Sequence, residues 1–177
     1  MKYHWSPPAP LPRFPIWTWP ILLVAVGLAL AGIVRLLRPQ MDERVYARFR
    51  TLPQAQFLPA DAPDAPLKSA CAAYNVKAYS KALQLFRQDT QSRYAVERQL
   101  FGGICLLELN DTKAAGAQLE ALLQAHPESP LRDEMLFYQG LCHLRAHRRG
   151  ACREALLQVS PESPRQTAIR HVLGKMR

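Results

Sequence analysis

Four side chains near the C-terminal third have types that could do chemistry. His143 and His147 stand four residues apart, on one face of any helix, with Cys142 and Cys152 close by in sequence. Two imidazoles at that spacing plus thiols are metal-ligand material, and a Cys-His pair is also the raw material of a nucleophile. Neither chemistry is expected. The spacing fits no common zinc pattern, no glycine-rich loop offers an oxyanion or phosphate cradle, and Gly102-Gly103 sits inside a helical pattern. With Cys71 and Cys105, the four cysteines are too few for a disulfide framework, and no two form a Cys-x-x-Cys pair. They read as small buried apolar residues, in a setting that mildly favours a reducing compartment. No metal, cofactor, small-molecule substrate or catalytic residue is expected.

The other chemically loaded group is cationic. Residues 145–177 hold eight Lys or Arg and two Glu, so six of the chain's nine net positive charges lie there. Arg145, Arg148, Arg149 and Arg153 gather around one turn, a basic surface suited to acidic lipid headgroups, an acidic partner or nucleic acid. Few aromatic residues accompany them, so nucleic acid is not the expected ligand. A solvated helix face is the plainer explanation.

These residues need elements to position them, and the 177-residue chain supplies two unlike pieces. Eleven of its 15 prolines fall in the first 66 residues, whereas the remainder reads as helical almost throughout. After a tail at residues 1–13, the run Phe14 to Val34 contains no charged residue. As a helix it would be roughly 31 Å long, matching a bilayer core. Pro15 and Pro20 lie near its start, where a first helical turn tolerates a missing N–H. Trp17 and Trp19 suit one headgroup layer, and Arg35 and Arg38 mark the other end. A transmembrane helix over 14–38 follows. A cleaved signal peptide is the rival, since Ala29-Leu30-Ala31 has the form of a cleavage site, but the apolar run continues through Val34. Two basic residues before the span against five after it (Arg35, Arg38, Arg44, Arg48, Arg50) place the globular part on the cytoplasmic side of a single-pass membrane protein.

Residues 39–63 read as a proline-rich linker, in which Met41 to Leu52 forms a short amphipathic helix on Val45, Phe49 and Leu52. Pro53, Pro59 and Pro63 extend the chain beyond it. The linker is either a plain spacer or, through Val45 to Leu58, a segment that folds back.

Residues 64–177 carry an internal repeat. Glu120-Ala-Leu-Leu-Gln124, then Pro127-Glu-Ser-Pro130, recurs as Glu154-Ala-Leu-Leu-Gln158, then Pro161-Glu-Ser-Pro164, an offset of 34. Gly103-Ile-Cys105 matches Gly140-Leu-Cys142 at an offset of 37, so the later copy lacks three residues around its inter-helix turn. Ser129-Pro130 and Ser163-Pro164 have the form of a capping hydroxyl before a first-turn proline, Ser163 and Gln166 have capping-box spacing, and Asn110-Asp111 and Arg149-Gly150 break the paired helices. Ala168, Val172 and Met176 with Ile169 and Leu173 form an amphipathic last helix that caps the stack, with Arg165, Arg170 and Lys175 toward water.

This pattern resembles the tetratricopeptide repeat (TPR) family, and in outline small bacterial membrane-anchored TPR proteins. Gly103 stands at the family's glycine, Ala115 and Leu119 at its Ala-x3-Phe pair, and Pro127 at its closing proline; Ala82 and Phe86 supply the pair in an earlier unit. Counting the family spacing from Gly140 reaches Cys152, Leu156 and Pro164, whereas the literal echo makes Pro161 the closing proline. The two registers differ by three residues. Gln99 and Leu106 depart from the family's Trp and Tyr. The resemblance implies an all-α fold: an N-terminal transmembrane helix followed by a TPR-like α-solenoid of about three helix pairs with a C-terminal capping helix.

It also implies a concave groove lined by the first helix of each pair. The lining positions are Leu67, Cys71, Tyr74 and Asn75, then Glu97, Leu100, Ile104, Leu107 and Glu108, then Glu134, Phe137, Leu141, Leu144 and Arg145. Such a surface suits an apolar helix or extended segment, from another protein or from Val45 to Leu58 of this chain. The function expected is a membrane-anchored scaffold that binds another protein. The alternative is an electrostatic adaptor whose basic C-terminal surface holds lipid or nucleic acid.

Overall fold

A computed structural model describes residues 18–50, 53, 55, 65–88 and 93–176. The tail at 1–13, the start of the apolar run with Pro15 and Trp17, and Phe57 and Leu58 of the linker lie outside the described residues. The described chain is all-helical, in eight helices. They are α1 (Thr18–Phe49), α2 (Ala65–Asn75), α3 (Tyr79–Gln88), α4 (Ala95–Glu108), α5 (Thr112–Ala125), α6 (Arg132–Arg145), α7 (Arg149–Leu157) and α8 (Gln166–Lys175). The chain divides into two compact units, Met1–Pro39 and Gln40–Arg177.

In the first unit α1 is long and apolar enough to cross a membrane. Every side chain from Leu23 to Val34 is exposed, with Leu28 at 70%. The helix does not stop at residue 38: Pro39 lies inside it and it runs on to Phe49, so the separate short helix expected from Met41 is the last part of α1.

In the second unit consecutive helices pack on one another from α2 to α7, and α4 also touches α6. The first and second members of each hairpin differ in burial for a reason visible in their sequences. The second members α3, α5 and α7 bury one stripe each: Ala82, Leu83 and Phe86; Ala115, Leu119 and Leu122; Cys152, Ala155 and Leu156. Polar residues fill the rest, as on any helix with one face to water. The first members α4 and α6 are enclosed on most sides: Leu100 through Leu107 are all buried in α4, and Met135 through Leu144 nearly so in α6.

Three turns of identical construction join the hairpin partners. Each is three residues long and has a middle residue in the left-handed region: Lys77 (φ 63°), Asn110 (φ 70°) and His147 (φ 57°). The middle N–H donates to the carbonyl three residues back and the next N–H to the carbonyl five back: Lys77 to Tyr74 and Ala78 to Ala73, Asn110 to Leu107 and Asp111 to Leu106, His147 to Leu144 and Arg148 to His143. This double hydrogen bond closes the last carbonyls of a helix that ends on a left-handed residue. Asp111 also caps α5, its Oδ1 accepting from the Ala114 N–H at 3.0 Å.

The turns settle the register. Asn110 and His147 are 37 residues apart, as are Gly103 and Gly140, Ala115 and Cys152, and Leu119 and Leu156. A Cβ on Gly103 would lie 3.3 Å from Leu119, and one on Gly140 would lie 2.7 Å from Leu156, so each glycine admits the same leucine of its partner helix. The turns that begin the following helices keep the 34-residue offset: Ser129 and Ser163 make equivalent bonds, each Oγ accepting from the N–H two residues on. The three missing residues therefore come out after the inter-helix turn: α7 is five residues shorter than α5, 9 against 14, and the connection that follows it (158–165) is two residues longer than its counterpart (126–131). They do not come out of the inter-helix turn, as expected. In consequence the two Glu-Ala-Leu-Leu-Gln stretches sit on equivalent helices about one turn out of step. The break expected at Arg149-Gly150 falls at 146–148 instead, because His147 takes the left-handed conformation and Gly150 lies within α7. The serine hydroxyls act three residues ahead of the α-helical starts, and Gln166 Nε2 reaches the carbonyls of Val159 and Ser160 rather than closing a capping box on Ser163.

Candidate interaction surface

The residues two before each left-handed turn residue are Asn75, Glu108 and Arg145, at the C-terminal ends of α2, α4 and α6. All three hold the segment that ends α1. Asn75 Oδ1 accepts from the Ala55 N–H at 2.9 Å. Glu108 accepts from the Tyr46 hydroxyl at 2.7 Å and pairs with Arg50 at 2.7 Å. Arg145 stacks its guanidinium 4.6 Å from the centre of the Tyr46 ring and lies 3.8 Å from Glu43. One step on, Asp42 pairs with Arg149 at 2.7 Å and meets His147 Nδ1 at 3.2 Å. Residues 42–50 and Ala55 thus meet the three hairpins in reverse order, third to first, with polar contacts at each.

Burial makes these contacts consequential. Asp42 and Tyr46 are each only 2% exposed, and the Glu108 side chain is 3% exposed. A carboxylate removed from water must be paired, and Asp42 has a guanidinium and an imidazole to hand while Glu108 has a phenol and a guanidinium. Arg145 Nη1 also donates to the Leu107 carbonyl, as a second donor beside the Asn110 N–H. Further along, the Phe49 ring stacks on His171 of α8 at 5.8 Å.

All nine apolar positions expected to line the groove, Leu67, Cys71, Tyr74, Leu100, Ile104, Leu107, Phe137, Leu141 and Leu144, are buried, none more than 6% exposed. The first helices are packed among neighbouring helices, so these side chains are core, and residues 42–50 and Ala55 meet those helices at their C-terminal ends. The polar positions among those expected, Asn75, Glu108 and Arg145, are the ones that touch the segment. Glu134 instead forms a two-point pair with Arg165 at 2.8 Å, tying α6 to the start of α8. Arg165, expected to face water, is turned inward over the rings of Phe137 and Tyr138.

The expected basic surface is divided by the same contacts. Arg145 and Arg149 are turned toward Tyr46 and Asp42, and only Arg148 and Arg153 stand exposed. What sequence reading missed is Asp42 and Tyr46 as partners; the signal was their spacing of four, on the helix face next to Val45 and Phe49, which also rest against the core.

The thiols are buried and quiet. Burial pushes Cys71 up to about 11 and Cys105, Cys142 and Cys152 up to about 12. Burial, helped by Arg148, holds the His143 imidazole below its ordinary value. His147 is engaged by Asp42. Among the described residues, no group of three or more His, Cys, Asp or Glu is placed to hold a metal ion.

Compared with known proteins, the chain matches no family model, no curated protein and no solved structure.

Proposed function

We propose that the protein is a membrane-attached, TPR-like scaffold, which holds a stack of helical hairpins beside a bilayer and offers it to another protein. The observation that carries the reading is the triplicate turn at Lys77, Asn110 and His147, because identical closures at successive hairpins are what a repeat array requires. The paired close approaches at Gly103 and Gly140, and the exposed apolar length of α1, support the same reading. Catalysis plays no part in it. The partner would be an apolar helix or extended segment, and at the C-terminal ends of the first helices it would have to displace residues 42–50. The adaptor alternative is weaker, since two of its four arginines are spent on internal partners.

Two experiments test this. Alkaline carbonate extraction of membranes should leave the full chain in the pellet; release into the supernatant would refute attachment. Affinity purification from detergent should recover a partner, and loosening the covering segment with Asp42→Asn and Tyr46→Phe should increase its yield. Partner recovery abolished by Arg148→Glu and Arg153→Glu, and indifferent to the first pair, would favour the adaptor instead.

A further inference from the structure

A second face of the α1 terminus, beside the one that carries Asp42 and Tyr46, is only partly covered: Val45 and Phe49 rest against the core while Met41 is 47% exposed. While Asp42 and Tyr46 turn inward, Met41, Val45 and Phe49 recur every four residues on another face, with Arg44 and Arg48 beside them. Stacking of Phe49 on His171 brings this face against α8, where Lys175, one turn on from His171, completes the rim of a shallow pocket lined by these six residues. The pocket floor is apolar and its rim is three cations. Arg44, Arg48 and Lys175 are exposed and make no ion pair with any described residue, whereas the acids of the same stretch are committed elsewhere, Asp42 to Arg149 and Glu43 toward Arg145.

Chain connectivity fixes where this pocket can be, provided the membrane reading of α1 holds. Met41 is three residues past Arg38, so even a fully extended chain keeps it within about 11 Å of the end of the span. That is the headgroup layer and the water next to it. The geometry points to this pocket as a binding site for an anionic phospholipid of the host bilayer. The two guanidiniums and the ammonium take the phosphate and its neighbouring negative charge, and Met41, Val45 and Phe49 take the glycerol and first acyl carbons. A zwitterionic lipid gains less, because its choline brings a cation into the same rim. The ligand would also brace the α1 terminus against α8, and so the covering segment against the repeats.

The test uses the full chain purified in mild detergent, with phosphatidylglycerol or phosphatidylcholine added and bound lipid counted by native mass spectrometry. Retention of phosphatidylglycerol over phosphatidylcholine is expected. The double variant Arg44→Gln/Arg48→Gln should lose about fivefold in apparent affinity per charge removed. Lys175→Gln should lose a further step. The matched double variant Arg148→Gln/Arg153→Gln removes the same charge elsewhere and should retain lipid as the parent does. Circular dichroism confirms that the variants fold. Equal retention of the two lipids, or equal loss in the two double variants, overturns the site; an acidic protein segment as the true occupant would give the first of these results. Carbonate extraction separates the failures: a chain released from membranes loses the membrane reading, and one that stays in the pellet without lipid selectivity loses only this site.

Discussion

Each of the four cysteines occupies a position where a small apolar group fits between helices, and burial sets its reactivity. Only the thiolate attacks an alkylating reagent, and thiols held near 11 to 12 are almost wholly protonated at pH 8. Iodoacetamide should therefore leave the folded protein unlabelled and modify all four cysteines once denaturant opens the core, as intact mass would show. A fast-labelling thiol under native conditions would contradict the packing. His143 makes the opposite sort of prediction. Its imidazole titrates lower in the folded chain than its ordinary 6.5, so folding disfavours its protonation. The stability it contributes is full above about pH 6.5 and is lost as pH falls through the lowered value. His143→Gln should shrink the drop in melting temperature between pH 7.5 and 5.5, with the two curves meeting at the higher pH.

Among the elements, the helix pairs are joined by close approach rather than by loop chemistry alone. Gly140 faces Leu156 with no room for a methyl group, and its other neighbour is the Cys152 carbonyl of the same helix. Gly140→Ala should cost about 1–3 kcal/mol by forcing α6 and α7 apart. Gly116, in the middle of α5 with open space around it, offers the control. There Gly116→Ala should gain about 0.5–1 kcal/mol from helix propensity. Urea denaturation followed by circular dichroism measures both, and the same sign for the two would reject the helix-crossing account. The repeat was legible in sequence because glycine, alanine and leucine recur where helices must cross. The three-residue deletion was misplaced because a literal echo of five letters outweighed the turn. Lys77, Asn110 and His147 share a backbone conformation and not a residue type, so no sequence signal links them.

For the molecule as a whole, the energetic question is what holds residues 42–55 on the hairpins. Asp42→Ala removes the carboxylate and leaves Arg149 and His147, both still reached by solvent, without their acceptor, so it should destabilise the second unit by about 1–3 kcal/mol. Hydrogen exchange should then show faster opening at the ends of α4 and α6, where Arg145 and Glu108 meet the segment. Unchanged protection there would mean that the segment adds nothing to the fold. The division of roles follows from this: the hairpins supply the interior, and the continuation of α1 closes it.

The sequence by itself determined the helical class, the bilayer-sized apolar run, the hairpin periodicity and the residues at helix crossings. Those follow from local chemistry, in which hydrophobic spacing, proline and glycine act over a few residues. Tertiary structure alone decided that Leu100, Ile104 and Leu141 are interior, that Arg145 and Arg149 are spent on internal partners, and that Asp42 and Tyr46 matter. The first depends on neighbouring helices closing round the first member of each hairpin, and the other two on a segment about a hundred residues away folding back. That folding back is set by three-dimensional pairing of buried charges, which no pattern along the chain records.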